Sequence, residues 1–372
     1  MYTTHKNNNK KKKIFLVLPN LTVGGAERVY INLANKINKK KFEIFFIVFF
    51  VNANFLKKQI KTNNIKFINL NKKRIIFGIW KILNLIKKNK PDIVMSTIIH
   101  LNCLFCFFKF FFPKKTKLII RNSNLYSEAI KVTKNSFLIS LMFKLFYKKA
   151  DHFIFISKGQ FKDFSNHFKI SLKNSTIINN PIDFKKIKSL SKKKIIIKKN
   201  YKNYILACGS FKFQKGFDIL LEAFKKANLK KFKLLILGSG TNKQLKSLLE
   251  IKNRLKLNSS VFFLGSKENV FPYFKKSKAI IIPSRFEGCC NVLIESLVLK
   301  KPVILNKAPG IAIELLKNGK GYFISKKINS NSLSSQITKF SKSKVSYSKS
   351  PNVNVASIKN SINAYQNCLA KI

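Results

Sequence analysis

The chain has 372 residues, enough for two domains with full cores, and its 46% hydrophobic content excludes an intrinsically disordered protein. Its 74 basic residues face 14 acidic ones, a net charge of +60, so nucleic acid or anionic membrane are the first partners to weigh. Only five basic residues are arginine, whereas bidentate phosphate and base recognition favours arginine, which argues against a dedicated nucleic-acid protein. The abundance of Lys, Asn, Ile and Phe together is what an AT-rich coding sequence gives by drift.

Residues 1–13 are basic and Asn-rich, without the apolar core and small-residue cleavage site of a signal peptide. Candidate strands then follow at 14–19, 42–51, 66–70, 93–97, 118–122 and 153–157, with helical segments between several of them. Gly24 and Gly25 come after the first strand, and His100 after the fourth. A lone His beside apolar residues is commonly a packed structural side chain. The functional alternative is a polar group near an acceptor hydroxyl.

Two Phe-rich stretches, 98–112 and 137–147, are broken by Lys109 and Lys144 and fall short of the ~18–20 apolar residues that span a bilayer. They read either as core helices or as a membrane-facing patch, aromatics in the interface and lysines on anionic lipid. Six cysteines, at 103, 106, 208, 289, 290 and 368, have no disulfide-framework spacing. Cys103 and Cys106 form a lone CxxC without a second pair for zinc, so buried thiols in a reducing cytoplasm are expected.

Asn179-Asn180-Pro181-Ile182-Asp183 is turn chemistry, and with the lysine-rich segment 185–202 it places the domain hinge. A second series of strands is expected at 204–209, 233–238, 261–265, 279–283, 302–306 and 321–325. Residues 326–357, rich in Ser, Lys and Asn, are expected to be loosely ordered, and 358–372 to form a terminal helix. The division is therefore 1–180, 181–357 and the helix 358–372. Each series argues a mostly parallel sheet covered on both faces, and two such domains make a cleft suited to a small ligand.

In so acid-poor a chain, Glu287 and Glu295 carry the most information: Ser284-Arg285-Phe286-Glu287-Gly288-Cys289-Cys290-Asn291-Val292-Leu293-Ile294-Glu295-Ser296. The apolar run 279–283 reads as a buried strand and 292–299 as a helix packed on the sheet. Glu287 then lies in the loop at the carboxyl end of a strand, and Glu295 about one turn into the next helix. Ligands of open α/β sheets bind at that edge, where helix N-termini and free amides converge. Gly288 permits close backbone approach, and the amides of Cys289, Cys290 and Asn291 sit where the helix starts. No Asp-x-Asp occurs, which argues against a metal-chelated diphosphate.

With its flanking elements, this motif resembles the retaining glycosyltransferases of family 4, group 1, of the bacterial surface-polysaccharide type. The resemblance extends to Gly24-Gly25-Ala26-Glu27-Arg28, Ile205-Leu206-Ala207-Cys208-Gly209, Gln214-Lys215-Gly216-Phe217-Asp218, Leu234-Leu235-Ile236-Leu237-Gly238-Ser239-Gly240, and Lys301-Pro302-Val303-Ile304 through Glu314. It implies the α/β GT-B fold, two Rossmann-like domains facing each other across a cleft, the first for the acceptor and the second for a nucleotide-sugar donor. In that fold the terminal helix crosses back to the first domain.

By resemblance, Glu295 would hold the ribose hydroxyls, Glu287 a hydroxyl of the donor sugar, and Lys215 the diphosphate. Gly24 and Gly25 would border donor or acceptor, Gly238 and Gly240 would line the nucleotide pocket, and His100 would stand near the acceptor hydroxyl. The family usually has Arg where Ser210 stands, so one donor-site cation is missing. The reaction implied moves a hexose or N-acetylhexosamine from a nucleoside-diphosphate sugar to a lipid-linked or polysaccharide acceptor, without metal or other cofactor. Apart from the resemblance, the N-terminus and the thiols make a cytoplasmic setting the expectation, the membrane-facing reading of the Phe-rich stretches would add a peripheral contact with the inner face of an anionic membrane, and no nucleic-acid partner is expected.

Three other readings compete. A sugar-nucleotide epimerase shares the architecture but would turn over donor alone. A basic nucleic-acid or anionic-membrane binding protein would bind in a salt-sensitive way without recognising nucleotide sugar. An inactive relative is the third, suggested by Ser210 and the Cys289-Cys290 pair.

Overall fold

The computed structural model describes residues 11–21, 25–51, 57–131, 135–168, 172–197, 201, 203–310 and 313–372. Gly24 lies outside the described residues. The chain divides into two compact units, residues 1–181 with 358–372, and residues 182–357.

In the first unit β1 (Lys12–Leu21), β2 (Phe42–Val51), β3 (Ile65–Asn69), β4 (Ile93–Thr97), β5 (Lys117–Arg121), β6 (His152–Phe155) and β7 (Ser175–Ile177) form one parallel sheet. Their order is β3-β2-β1-β4-β5-β6-β7. The helices are α1 (Gly25–Lys36), α2 (Ile75–Asn89), α3 (Ile99–Phe107), α4 (Tyr126–Lys131), α5 (Ser136–Phe146), α6 (Lys158–Phe168) and, from the chain's end, α13 (Ile358–Lys371). Alternation along β1 distributes its apolar residues to two layers. Ile14, Leu16 and Leu18 pack with Val29, Leu33, Tyr365 and Leu369 of α1 and α13, whereas Phe15 and Val17 pack with Ile79 and Ile82 of α2. Burial on both faces is why β2 is apolar from Ile44 to Val51, with Glu43 the single polar residue near its start.

Helix α13 is held to this sheet by polar contacts as well. Lys12 Nζ donates to the carbonyls of Leu369 (3.2 Å) and Ala370 (2.8 Å). Arg121, fully buried at the end of β5, donates from Nε to Tyr365 Oη (2.9 Å), from Nη1 to Thr97 Oγ1 (3.3 Å) and from Nη2 to Asn180 Oδ1 (2.6 Å). Burial drives the pKa of the adjacent Tyr30 well up, against the lowering influence of Arg121, so its hydroxyl stays neutral.

In the second unit β8 (Tyr204–Cys208), β9 (Lys233–Leu237), β10 (Val261–Phe263), β11 (Ala279–Ile282), β12 (Val303–Asn306) and β13 (Tyr322–Ser325) form a parallel sheet ordered β10-β9-β8-β11-β12-β13. Its helices are α7 (Phe184–Ser191), α8 (Phe217–Ala227), α9 (Asn242–Arg254), α10 (Phe271–Lys276), α11 (Asn291–Val298) and α12 (Ser330–Lys342). Strand order reverses between β8 and β11 here, and between β1 and β4 in the first unit. Each reversal opens a crevice at the carboxyl ends of the two strands.

Two sequence expectations need correction. The Ser-rich segment 326–357 is not loosely ordered throughout: α12 runs through it, N-capped by Asn329, whose side chain accepts from Ser332 N (2.8 Å). Leu333, Ile337 and Phe340, at helical spacing, are buried under β12 and β13, which supplies what the polar composition hides. The lysine-rich segment after the turn is also not wholly linker. Asp183 accepts from Lys186 N (2.9 Å) and caps α7, and the unit boundary falls at 181/182. Among the described residues, no helix is long and apolar enough to cross a membrane.

Candidate active site

The loops after β8, β9 and β11 meet at the reversal in the second sheet. Gly209 N donates to Leu237 O (3.0 Å) and Phe211 N to Ser239 O (2.9 Å), joining the loop that carries Ser210 to the Gly238–Gly240 loop. Gly238 is needed here: its φ is 149°, and a Cβ would stand 1.8 Å from Gly209 O.

The turn Phe213–Lys215 is tied to the loop after β11. Arg285 N donates to Gln214 O (2.8 Å) and Gln214 Nε2 to Phe286 O (3.1 Å). The Arg285 guanidinium lies 3.9 Å over the Phe213 ring and grips Asp218 with both nitrogens, at 2.8 and 2.5 Å. Burial pushes the Asp218 pKa up, but the hydrogen bonds and charge of Arg285 outweigh it and the net pKa is lowered. Gly216 closes the turn at φ 63°, where a Cβ would meet Pro283 O at 2.2 Å.

This bracing delivers Lys215 to Glu287. Lys215 Nζ donates to Glu287 Oε1 at 2.7 Å, and Ser284 Oγ donates to the same oxygen at 2.6 Å. Glu287 is buried, whereas the Lys215 side chain keeps 24% of its exposure, so the pair is reached from the lysine side. Burial acts to lower the Lys215 pKa, and the Glu287 carboxylate overrides it, so the net pKa is raised and the ammonium is secured. The backbone N–H of Glu287 donates to Pro309 O (2.9 Å). Asn306 Nδ2, at the end of β12, donates to Pro283 O (2.8 Å) and is oriented by Ser325 Oγ (2.7 Å).

Cys290 stands in the left-handed region (φ 56°) and its carbonyl accepts from Leu293 N (3.0 Å), starting α11. Burial foremost, then the Glu287 charge, raises the Cys290 pKa well above that of a free thiol, so it is no nucleophile. Glu295 is the fifth residue of α11 and is buried. Gly288 and Cys289 are buried in the same loop, and Asn291 is half-buried at the helix start.

The structure thus brings Lys215, Glu287 and Cys290 together and sets Ser210, Gly238 and Gly240 on the adjoining loops. Gly25 and His100 are elsewhere, in the first unit, following β1 and β4 at that sheet's own reversal. Partial burial lowers the His100 pKa, which keeps the ring neutral near pH 7. Sequence reading assigned no role to Ser284, Asp218, Arg285 or Asn306. Ser284 and Arg285 lay within the motif, whereas a solitary Asn at a strand end carries no local signal. Among the described residues, no cluster of three His, Cys, Asp or Glu side chains is arranged to hold a metal ion.

Comparison with known proteins gives the family and the fold. Residues 23–186 match the family described as Glycosyltransferase Family 4, and residues 189–355 match Glycosyl transferases group 1. An uncharacterized glycosyltransferase of Methanocaldococcus jannaschii is 34% identical over 247 residues, 62% of this chain and 59% of its own length. The N-acetylgalactosamine-N,N'-diacetylbacillosaminyl-diphospho-undecaprenol 4-alpha-N-acetylgalactosaminyltransferase of Campylobacter jejuni is 33% identical over 224 residues, 60% of each chain. The chain therefore spans about three fifths of the length of these two curated relatives. In structure it resembles Anabaena HepE, solved in complex with UDP and glucose, with a TM-score of 0.73 over 97% of this chain and 98% of that one at 16% identity. Two matched domain families, one on each parallel-sheet unit, together with this fold likeness, establish that the chain belongs to the group 1, family 4 glycosyltransferases of the GT-B fold.

Proposed function

We propose that the chain is a retaining glycosyltransferase that moves a hexose or N-acetylhexosamine from a nucleoside-diphosphate sugar to a hydroxyl of a lipid-linked or polysaccharide acceptor. The observation that carries this reading is the Lys215–Glu287–Ser284 cluster at the carboxyl ends of β8 and β11, with Glu295 on the helix that starts beside it. Lys215 keeps three N–H donors on one charge, so it can turn toward a diphosphate while still bonded to Glu287. Both protein bonds to Glu287 fall on Oε1, leaving Oε2 to accept from a sugar hydroxyl. Glu295 would accept from the vicinal ribose hydroxyls. The acceptor oxygen would form its bond to the anomeric carbon on the face that the phosphate leaves. The carbon–oxygen bond to the diphosphate breaks, and the departing phosphate oxygen takes the acceptor proton.

Charge on the leaving diphosphate would be met by Lys215 and the amides at the start of α11, without metal. The lipid-linked acceptor is suggested by the name of the Campylobacter relative, and the proposed setting is the cytoplasmic side of a membrane, where such an acceptor would be met. A hydrolysis screen over common nucleotide sugars, with and without excess chelator, tests the reading. Release of nucleoside diphosphate from one donor class, undiminished by chelator, is expected. Interconversion of donor sugars without release would instead identify an epimerase, and a metal-reversible loss would remove the metal-free mechanism.

A further inference from the structure

Three segments of the first unit, distant in sequence, expose large apolar side chains on a single chain of ring contacts. Trp80 of α2, 57% exposed, meets Phe108 and Phe111 edge-on, each at 5.7 Å between centroids. Phe111 lies 4.2 Å from Phe110, Phe110 lies 6.3 Å from Phe107, and Phe107 lies 5.0 Å from Phe146 of α5. The flanks of this chain are exposed too: Ile76 and Phe77 beside Trp80, and Phe137, Leu138, Leu141 and Leu145 along α5. Leu138, Leu141 and Leu145 share one helical face, opposite the buried Phe143. A belt of this extent facing water is well beyond the scattered surface leucines of a soluble domain.

The belt's charge selects its occupant. No Asp or Glu occurs in residues 71–91, 93–127 or 135–150, while Lys73, Arg74, Lys81, Lys114, Lys115, Lys144, Lys148 and Lys149 are exposed around the apolar centre. A second copy of this chain would bring two cationic rims together with no acid between them. A nucleic-acid duplex would satisfy the lysines and leave the phenylalanines wet, and the bases of a single strand could stack on rings but would leave the aliphatic Ile76, Leu138, Leu141 and Leu145 uncovered. A bilayer containing anionic lipid satisfies both, with acyl chains against the belt and phosphates against the ammonium groups. Along α2, Phe77, Lys81, Asn84 and Lys88 fall on one stripe, so the apolar end grades into a surface pocket of about 410 Å³ lined also by Asn69 and Asn71. A headgroup phosphate has room there.

We infer that α2, the 108–111 turn and α5 form a bilayer-docking face that inserts Trp80, Phe110, Phe137 and Leu145 into the interface of an anionic membrane. The face differs from the sequence expectation in two respects. Lys109 is not part of it, because its Nζ donates to Thr116 O (2.7 Å) and pairs with Asp151 (3.2 Å). Phe107 is half-buried beneath it, and α2 contributes the tryptophan, which no Phe-rich run announced. The inference does not depend on donor chemistry, and nucleotide-sugar binding is measured separately on the same protein.

Trp80 is the chain's single tryptophan, so its emission reports on this face alone. The full-length protein is mixed with vesicles of phosphatidylcholine, or of phosphatidylcholine with phosphatidylglycerol. The expected result is a blue shift on the mixed vesicles, quenching by brominated acyl chains, and co-sedimentation that high salt reduces without abolishing. Phe137→Ser with Leu145→Ser should weaken the salt-resistant binding about tenfold or more while leaving the melting temperature in place, since both side chains are exposed. Unchanged emission in protein that co-sediments, or unaltered salt-resistant binding by the double variant, would overturn the inference. So would a dimer in sedimentation velocity that already buries Trp80 without lipid.

Discussion

A buried carboxylate that already has two donors on one oxygen is costly to strip and useful to share. Glu287 in this state holds Lys215 in place, so under the proposed function the lysine would be positioned for the donor's phosphates before any donor arrives. Removing each charge should therefore have a different consequence. Lys215→Ala should weaken nucleoside-diphosphate binding much more than nucleoside binding, and it also leaves Glu287 buried with Ser284 alone, so some loss of stability accompanies it. Glu295→Gln keeps the shape but loses the charge, and should weaken donor binding by about 1.5–3 kcal/mol with little change in stability. Calorimetric titration with nucleoside, nucleoside diphosphate and nucleotide sugar separates these cases. Equal loss for nucleoside and diphosphate in the lysine variant would mark Lys215 as merely structural.

At the scale of elements, the site depends on how the Phe213–Lys215 turn is clamped to the loop after β11. The Arg285–Asp218 pair is the outer half of that clamp, and Asp218 is partly exposed, so solvent screening limits its worth to about 0.5–1 kcal/mol. Its sign with pH follows from the lowered folded pKa. The contribution is complete above the unfolded value of about 4 and is lost as pH falls through the folded one. Asp218→Asn should therefore lower stability at neutral pH and make the remaining stability less steep below about pH 4 than in the parent. Parallel denaturant titrations at neutral and acid pH check this; identical slopes on the acid side would remove Asp218 from the clamp.

For the whole molecule, the chain's last helix belongs to its first sheet. Arg121 gathers Thr97, Asn180 and Tyr365, so it holds the segment just before the 181/182 boundary and the helix that follows the return at 357/358. Tyr365→Phe deletes one hydrogen bond to a buried guanidinium and should cost about 1.5–3 kcal/mol. Trp80, sited in the first unit, gives the measurement: its denaturant midpoint should fall at unchanged slope. An unmoved midpoint would mean that Arg121 finds another acceptor. Two units need not unfold together, so far-UV ellipticity followed in parallel should show a second component that the substitution leaves alone.

Period and punctuation made most of this architecture readable from the residues. The runs at 42–51 and 93–97 match β2 and β4, because a strand buried on both faces is mostly apolar and therefore stands out locally. The spacing of Glu287 and Glu295 around a helix start is likewise a local fact. β7, three residues of Ser-Thr-Ile, was invisible because it is too short to carry a period, and its identity rests on pairing with β6. Helix α12 was hidden by polar composition, since only three buried apolar side chains and the sheet beneath them distinguish it from linker. The partners of the Glu287 carboxylate come from residues 215 and 284, one of them 72 positions away, and no local pattern encodes a contact across that distance. The docking belt is likewise tertiary: α2 and α5 lie far apart in the chain, and only folding brings Trp80 into the row of phenylalanines. Local composition determines what each segment can bury, whereas the order of strands decides which segments become neighbours.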